Sequence, residues 1–366
     1  MSNSIGKQLV ISLFGESHGA VVGCVIDGLP PNIKLNVALI EHRLMQRRPG
    51  QSTLTTGRQE HDRFEIVSGV YDGKTTGAPL CVQFQNSDKK SEDYEHFNKI
   101  FRPGHADYTG YVKSKGAYDP RGGGHFSARL TAPVVFAGAV AEQILALKGI
   151  HIAGHIASIG EAKSKTLSLY SYFNEELEAL DKMPYNIFET SRNALLAEVE
   201  DAKNKGDSVG ATIEIAVFGL PVGLGSPFFD SVESQLSNAV FAIPAVKGVS
   251  FGDGFDFSKK RGSDVIDAFV LDHQGHVKTN ANHNGGINGG LTNGMPLLFK
   301  CVFKPTASIS LAQETLDFEK SEMTKLEILG RHDPCVALRA VPIVKGVTAI
   351  VLLDMMLKEQ SVLING

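Results

Sequence analysis

The sequence is short of cysteine: there are four in 366 residues, and Cys24, Cys81, Cys301 and Cys335 stand far apart. That spacing matches no zinc site, and it reads as reduced thiols in a cytoplasmic protein. Long apolar runs are missing too. The longest, near 132–141 and 347–353, fall well short of the ~20 residues of a membrane span. The N-terminal apolar patch is too short for a signal peptide, so no membrane association is expected. Charge of one sign is not in excess, the formal net charge being −4. No basic run with interleaved aromatics occurs, which counts against nucleic acid as a partner; any basic site must be local. The phosphate-loop pattern G-x-x-x-x-G-K-[ST], H-E-x-x-H, C-x-x-C and a convincing G-x-G-x-x-G are all absent. A nucleotide-driven motor, a zinc hydrolase and a Rossmann dehydrogenase lose ground accordingly, and no metal is expected.

What is present is a chain with 42% hydrophobic and 21% charged residues, enough for a sizeable core. Alternating apolar residues predict strands at Leu80-Val82-Phe84, at Ile213-Ile215-Val217 and around Leu297–Phe303. A helix capped by Asn36 should run to Arg48 and stop at Pro49-Gly50. Further helices are predicted from about Thr131 to Gly149, over Ser191–Asn204, over Asp230–Phe241 and over Val347–Gln360. The segment 163–204 is the most polar and reads as a surface excursion. Two short echoes suggest a duplicated α+β unit. Asp27-Gly28-Leu29-Pro30 and Phe218-Gly219-Leu220-Pro221 each precede a predicted helix, and Gly77-Ala78-Pro79-Leu80 and Gly294-Met295-Pro296-Leu297 each open a strand. No linker divides the chain, so residues 1–366 are read as one domain.

The chemistry concentrates in glycine-rich loops. Arg121-Gly-Gly-Gly-His125 lies directly before a long apolar helix, and three glycines carry an entropic cost that needs a reason. Either the backbone takes positive φ there, or something approaches it closely; a solvated surface loop is the bland alternative. Similar clusters are Phe14-Gly-Glu-Ser-His-Gly19, Gln46-Arg47-Arg48-Pro49-Gly50, Phe101-Arg-Pro-Gly-His-Ala-Asp-Tyr-Thr109, Asn282-His-Asn-Gly-Gly-Ile287, Lys304-Pro-Thr-Ala-Ser308 and Gly330-Arg-His-Asp-Pro-Cys335. Singly, each has a structural reading: Arg47 and Arg48 can complement a helix dipole, and Asn-Gly or Gly-Gly pairs can simply turn. His105 is the exception, since the His-x-Asp spacing can hold its tautomer. Together, in an acidic chain, the clusters describe a shared site for a ligand with several negative charges, with histidines as proton donors. Asp354 interrupts the apolar run after Val347; it is either exposed on an amphipathic helix or buried with partners or a task.

These motifs, in this order and over nearly the whole chain, resemble the chorismate synthase family. The resemblance implies an α+β fold, a β-α-β sandwich with helices between antiparallel sheets and an approximate internal two-fold repeat. It implies the anti-1,4-elimination of phosphate from 5-enolpyruvylshikimate 3-phosphate, giving chorismate for aromatic amino acid biosynthesis. Reduced FMN is required without net redox change, supplied by an external flavin reductase or NAD(P)H-derived reducing equivalents. Assembly as a homotetramer is also implied. By matching position, His18 protonates the leaving phosphate, His105 sits beside the flavin, and Ser17 with Asp354 relays the substrate proton. Arg47, Arg48, Arg129 and Arg339 take the substrate's phosphate and carboxylates. The FMN contacts carry over to His125, Phe126, Ser127, Ala245, Gly289, Lys304, Pro305, Thr306, Ala307, Ser308 and Arg331. The chain departs from the family where many members have Arg-Ser-Ser after the glycines; here His125-Phe126-Ser127 stand. The rival from another class is a flavin- or phosphate-binding protein of the same fold without catalysis.

Overall fold

Two five-stranded antiparallel sheets carry the architecture. The structure, a computed structural model, describes residues 3–50, 52–55, 60–86, 100–328 and 332–364, with side chains described through residue 359. The first sheet uses β1 (Ser4–Ile5), β2 (Val10–Gly15), β3 (Val21–Asp27), β4 (Phe64–Ser68) and β5 (Leu80–Gln85), in the order β1-β2-β3-β5-β4. The second uses β6 (His151–Ile159), β7 (Ala162–Lys163), β8 (Ala211–Phe218), β9 (Val246–Phe251) and β10 (Leu297–Phe303), in the order β9-β10-β8-β6-β7. Leu80, Val82 and Phe84 are buried while Cys81 and Gln83 are less so, the period-two pattern that predicted this strand.

Helices α1 (Val37–Arg47), α3 (Thr131–Ala146), α6 (Val232–Val240) and α7 (Val341–Ile364) pack together in the main core with the sheets. Helices α2 (Asp107–Ser114), α4 (Glu175–Lys182) and α5 (Glu189–Asn204) lie outside that group, α4 in a separate cluster on the other face of the second sheet. Helices α3 and α7 are apolar on nearly every face because each is buried on nearly every side. They cross at Gly138 and Gly346, where a Cβ on Gly138 would collide with the Gly346 backbone. The helical run Arg121–Ala146 that ends in α3 is long and apolar enough to cross a membrane by length and composition, but it is mostly buried, and α3 itself is a core helix packed on α7, α1 and β3. Helix α7 begins at Val341, six residues before the expected start, because Pro342 in the first turn removes only an N–H that needs no intrahelical partner. The excursion at 163–204 is more ordered than its polarity suggests. Its helices α4 and α5 bury Leu177, Leu180, Leu195 and Val199.

The duplication goes deeper than the two echoes. In chain order β2, β3, α1, β4, β5, α3 is matched by β6, β8, α6, β9, β10, α7, with the same strand order in each sheet. Gly28 and Gly219 both take φ of +83°. Thr75 Oγ1 donates to the Pro30 carbonyl at 2.7 Å and accepts from Ile33 N–H; Thr292 Oγ1 does the same with Pro221, at 2.6 Å, and Leu224. Both β4 and β9 carry a register shift near their ends. The fold is thus α+β, a β-α-β sandwich with an approximate internal two-fold repeat.

Candidate active site

The glycine loop comes first, because three other segments meet on it. Gly122, Gly123 and Gly124 all have positive φ, of +60°, +84° and +52°, a region that side chains other than glycine seldom adopt. Both sequence explanations hold. A Cβ on Gly122 would collide with the His18 ring and stand 2.7 Å from Ser17 Oγ, and one on Gly123 would stand 3.5 Å from His105 Cε1. The loop is anchored to the end of β2: Ser17 N–H donates to the Gly124 carbonyl at 3.1 Å, and His125 Nδ1 meets the Gly15 carbonyl at 2.8 Å. Ser17 and His18 are both buried.

His105 is held by a triad that its neighbours in sequence supply. Its Nδ1 lies 2.6 Å from Asp107 Oδ1 and 3.1 Å from Arg102 Nη2, which leaves Nε2 as the nitrogen turned toward the glycine loop. Arg102 donates from Nε and Nη2 to both oxygens of Asp107. Burial alone would raise the Asp107 carboxyl, but hydrogen bonds from Arg102 and His105 outweigh it and hold it well below the usual carboxylate range. The segment 304–308 closes this side. Lys304 Nζ donates to the Gly104 carbonyl at 2.6 Å, Arg102 Nη1 to Ser308 Oγ at 3.4 Å, and Ala307 faces Gly104. Ala245, with φ of +72°, accepts the Lys304 N–H at 2.9 Å.

On the other side stands a buried arginine cluster. Arg47, the last residue of α1, does not cap its own helix. Its Nε donates to Thr131 Oγ1 at 3.1 Å and its Nη1 to Asp62 Oδ2 at 2.5 Å. Arg129 donates to the other oxygen of Asp62, to Asn86 Oδ1 at 2.9 Å and to the Gln85 carbonyl at 3.1 Å. Arg339 donates to the Arg47 carbonyl at 3.3 Å and pairs with Asp333, whose carbonyl accepts from Thr306 Oγ1 at 2.9 Å. Burial, opposed by Asp62 and reinforced by the charges of Arg129 and Arg339, pulls Arg47 below the ordinary arginine range. Loss of water is the first cause, and the neighbouring guanidiniums only add to it. Arg48 follows the helix in extended conformation, half-buried.

Of the expected site residues, Ser17, His18, Arg47, Arg48, His105, Arg129, Ala245, Lys304, Thr306, Ala307, Ser308 and Arg339 fall in these connected segments. His125, Phe126 and Ser127 are there too, with local tasks: the His125 ring is held by Gly15 and the Asn3 side chain, Phe126 packs on Gly110 of α2, and Ser127 Oγ accepts from Arg129 N–H. Pro305 is exposed in the same segment. Arg331 lies outside the described residues. Two are not brought in. Asp354 Oδ1 accepts from the backbone N–H groups of Lys7, Gln8 and Leu9 at 3.0, 2.6 and 2.8 Å, ahead of β2, whereas Ser17 follows its end. Six strand residues put them roughly 20 Å apart. Gly289 lies on that far side as well: the neighbouring Gly290 abuts Ser231, and its carbonyl approaches Gly225, which touches Met355. Asp62 and Asp333 are the acids that reading the sequence missed. Asp333 stood visible in Gly-Arg-His-Asp-Pro-Cys; Asp62 had no motif to mark it.

The bare backbone of the glycine loop and Gly104, ringed by Lys304, Arg102 and His105, suits a flat ligand that carries an anion. The arginine cluster beside it suits a ligand with several negative charges.

Comparisons with known proteins agree. The chorismate synthase family model matches residues 9–357. A chorismate synthase of Opitutus terrae is 44% identical over 363 residues, covering 99% of this chain and 98% of that protein. One from Thermococcus gammatolerans is 44% identical over 356 residues, covering 97% and 98%. A solved crystal structure of chorismate synthase superposes with a TM-score of 0.75 at 27% identity, covering 97% of this chain and 93% of its own.

Proposed function

This chain belongs to the chorismate synthase family, and on that premise we propose how its own residues carry the reaction, in which 5-enolpyruvylshikimate 3-phosphate loses phosphate and a ring proton to give chorismate. Arg47, Arg48, Arg129 and Arg339 bind the substrate's phosphate and carboxylates through charge-assisted hydrogen bonds. His18, buried against Gly122 and Ser17, donates a proton to the departing phosphate oxygen. His105, its Nδ1–H directed at Asp107, presents Nε2 on the face of the glycine loop as the nitrogen that takes up or returns a proton there. The glycine loop, Lys304–Ser308 and Ala245 would hold FMN in its reduced form, which would lend electron density to the substrate as the C–O bond to phosphate breaks and regain it from the ring C–H bond as the proton is lost. Exclusion of water falls to the buried walls, Phe101, Ser17 and Ser308 among them.

One observation carries this reading: a single positive-φ glycine loop touches both histidines, and the arginine cluster is joined to it through Ala128 and Arg129. The test is an anaerobic assay with prereduced FMN. Chorismate formed should exceed flavin supplied many times over, with the flavin spectrum still that of the reduced form at the end. Stoichiometric flavin oxidation, or full activity without flavin, would overturn the reading. No observation favours the non-catalytic binder.

The remaining assignments belong to the same proposal. The chain is one domain, supported by a main core cluster that draws its residues from Leu9 through to Met355. Reduced flavin comes from an external reductase or from NAD(P)H. Self-assembly into a homotetramer is supported by large apolar side chains left in solvent, Phe228, Phe229, Phe255 and Phe269. A cytoplasmic setting is supported by buried free thiols; burial pushes Cys301 and Cys335 up to about 12.

A further inference from the structure

Asp62 stands between two of the arginines assigned to the substrate, and its position is costly. Its side chain is fully buried, its φ is +47°, and its two oxygens are divided, one to Arg47 and one to Arg129. A non-glycine residue in the left-handed region is strained, and such strain persists where the surroundings impose it, often at functional sites. Glu60 is the next acid, 3.8 Å from Arg129, and Asp333 answers Arg339. The arginines are therefore not bare. Arg47, Arg129 and Arg339 each meet a carboxylate before any ligand arrives.

That arrangement matters because the reaction leaves inorganic phosphate among these same guanidiniums. Two buried, uncompensated arginines would bind that product tightly, since buried charge pairs are screened little by solvent. A carboxylate a few ångström away repels the product while holding the guanidiniums in line. The substrate overcomes the repulsion because its phosphate and carboxylates together reach Arg48 and Arg339 as well; free phosphate has no such second anchor. We propose that Asp62 is a positioning and specificity residue: its carboxylate aligns Arg47 and Arg129 and weakens the site's hold on free phosphate, so that the product leaves and a multiply charged substrate is preferred. The proposal rests on the assignment of these arginines to the anion site.

The experiment is calorimetric titration of inorganic phosphate into the flavin-free, substrate-free protein, in the wild type and in Asp62→Asn, Arg129→Gln and the double variant. Asp62→Asn should bind phosphate about tenfold more tightly than wild type, a modest part of what Coulomb's law gives for a unit charge at this distance. Arg129→Gln should bind more weakly than wild type, and adding Asp62→Asn to it should recover a gain of similar size. In steady state, phosphate should become a stronger product inhibitor of Asp62→Asn while the substrate KM moves less. Should the single variant fail to fold, its charge excess being buried, the comparison of Arg129→Gln with the double variant decides. Phosphate affinity unchanged or weaker after loss of the carboxylate, in either background, overturns the proposal and leaves Asp62 a clamp alone. If Arg129→Gln and Arg47→Ala leave phosphate binding untouched, the anion-site assignment itself is wrong.

Discussion

His105 and Asp107 show how much a single residue's task can be read from spacing. The His-x-Asp pair was legible because its partners lie two positions apart, and the structure adds Arg102, three positions before, as the cation that locks the acid. His105→Ala should therefore lower turnover by roughly 10²–10⁴-fold, the range for losing a general acid or base, while the melting temperature stays close to wild type. Initial rates under saturating reduced FMN, with a thermal melt alongside, check it; near wild-type turnover removes His105 from the mechanism. Asp62 was illegible for the opposite reason. Its partners are 15 and 67 positions away, and a lone Asp in His-Asp-Arg carries no pattern. Asp354 was half legible. That it must have partners followed from its apolar surroundings, but those partners are backbone N–H groups some 345 residues away, and no rule of spacing reaches them.

At the scale of elements, the glycine loop shows why the same three residues answered two questions. They take positive φ, and what approaches them includes the chain's own His18 and Ser17 as well as the ligand's space. Gly122→Ala should cut activity by more than tenfold, because the methyl group displaces His18 from the position of a proton donor. Gly73→Ala is the control: its φ of +70° imposes the same kind of backbone strain, about 1–2 kcal/mol, but nothing lies within 4 Å and activity should persist. Paired rate and melting measurements separate the two; equal activity loss in both would leave strain, not displacement, as the cause. Helix α7 carries a second element-scale lesson. Lys345 sits one per cent exposed within its apolar run, tied to Asp181 at 2.5 Å and Glu142 at 3.4 Å, which also hold Arg43 of α1. This network fixes α1 one turn before Arg47. Lys345→Met should destabilise the protein by about 3–5 kcal/mol, the cost of stranding a buried acid, read as a fall in the urea midpoint; a midpoint within error of wild type would show the network to be dispensable.

For the whole molecule, the repeat was visible only at its turns. The two Gly-Leu-Pro segments and the two Pro-Leu strand starts survive in sequence because they set backbone direction, and Gly28 and Gly219 share one φ. The strands between them pair across long separations and keep only their apolar alternation, so the matching sheet orders could not be read off. Buried charge occurs in both halves, and that charge predicts how the molecule responds to acid. Burial would raise Asp107, Asp181, Glu142 and Glu214, but Arg102 and His105, Lys345 and Arg43, and His155 outweigh it, holding all four below their ordinary values of 3.8 and 4.5. The unfolded chain therefore takes up protons at these positions before the folded one does. Their contribution to stability is complete above about pH 5 and is lost as pH falls through 4.5 and 3.8 toward the depressed folded values. Melting temperatures measured from pH 7 to pH 3 should hold level, then drop steeply below about pH 4.5. In Lys345→Met, which weakens the hold on Asp181 and Glu142, the drop should be shallower and start from a lower plateau. A wild-type melting temperature that rises on acidification would mean that these carboxylates are held protonated in the fold, and the ionic account of both α1 and the His105 triad would fall with it.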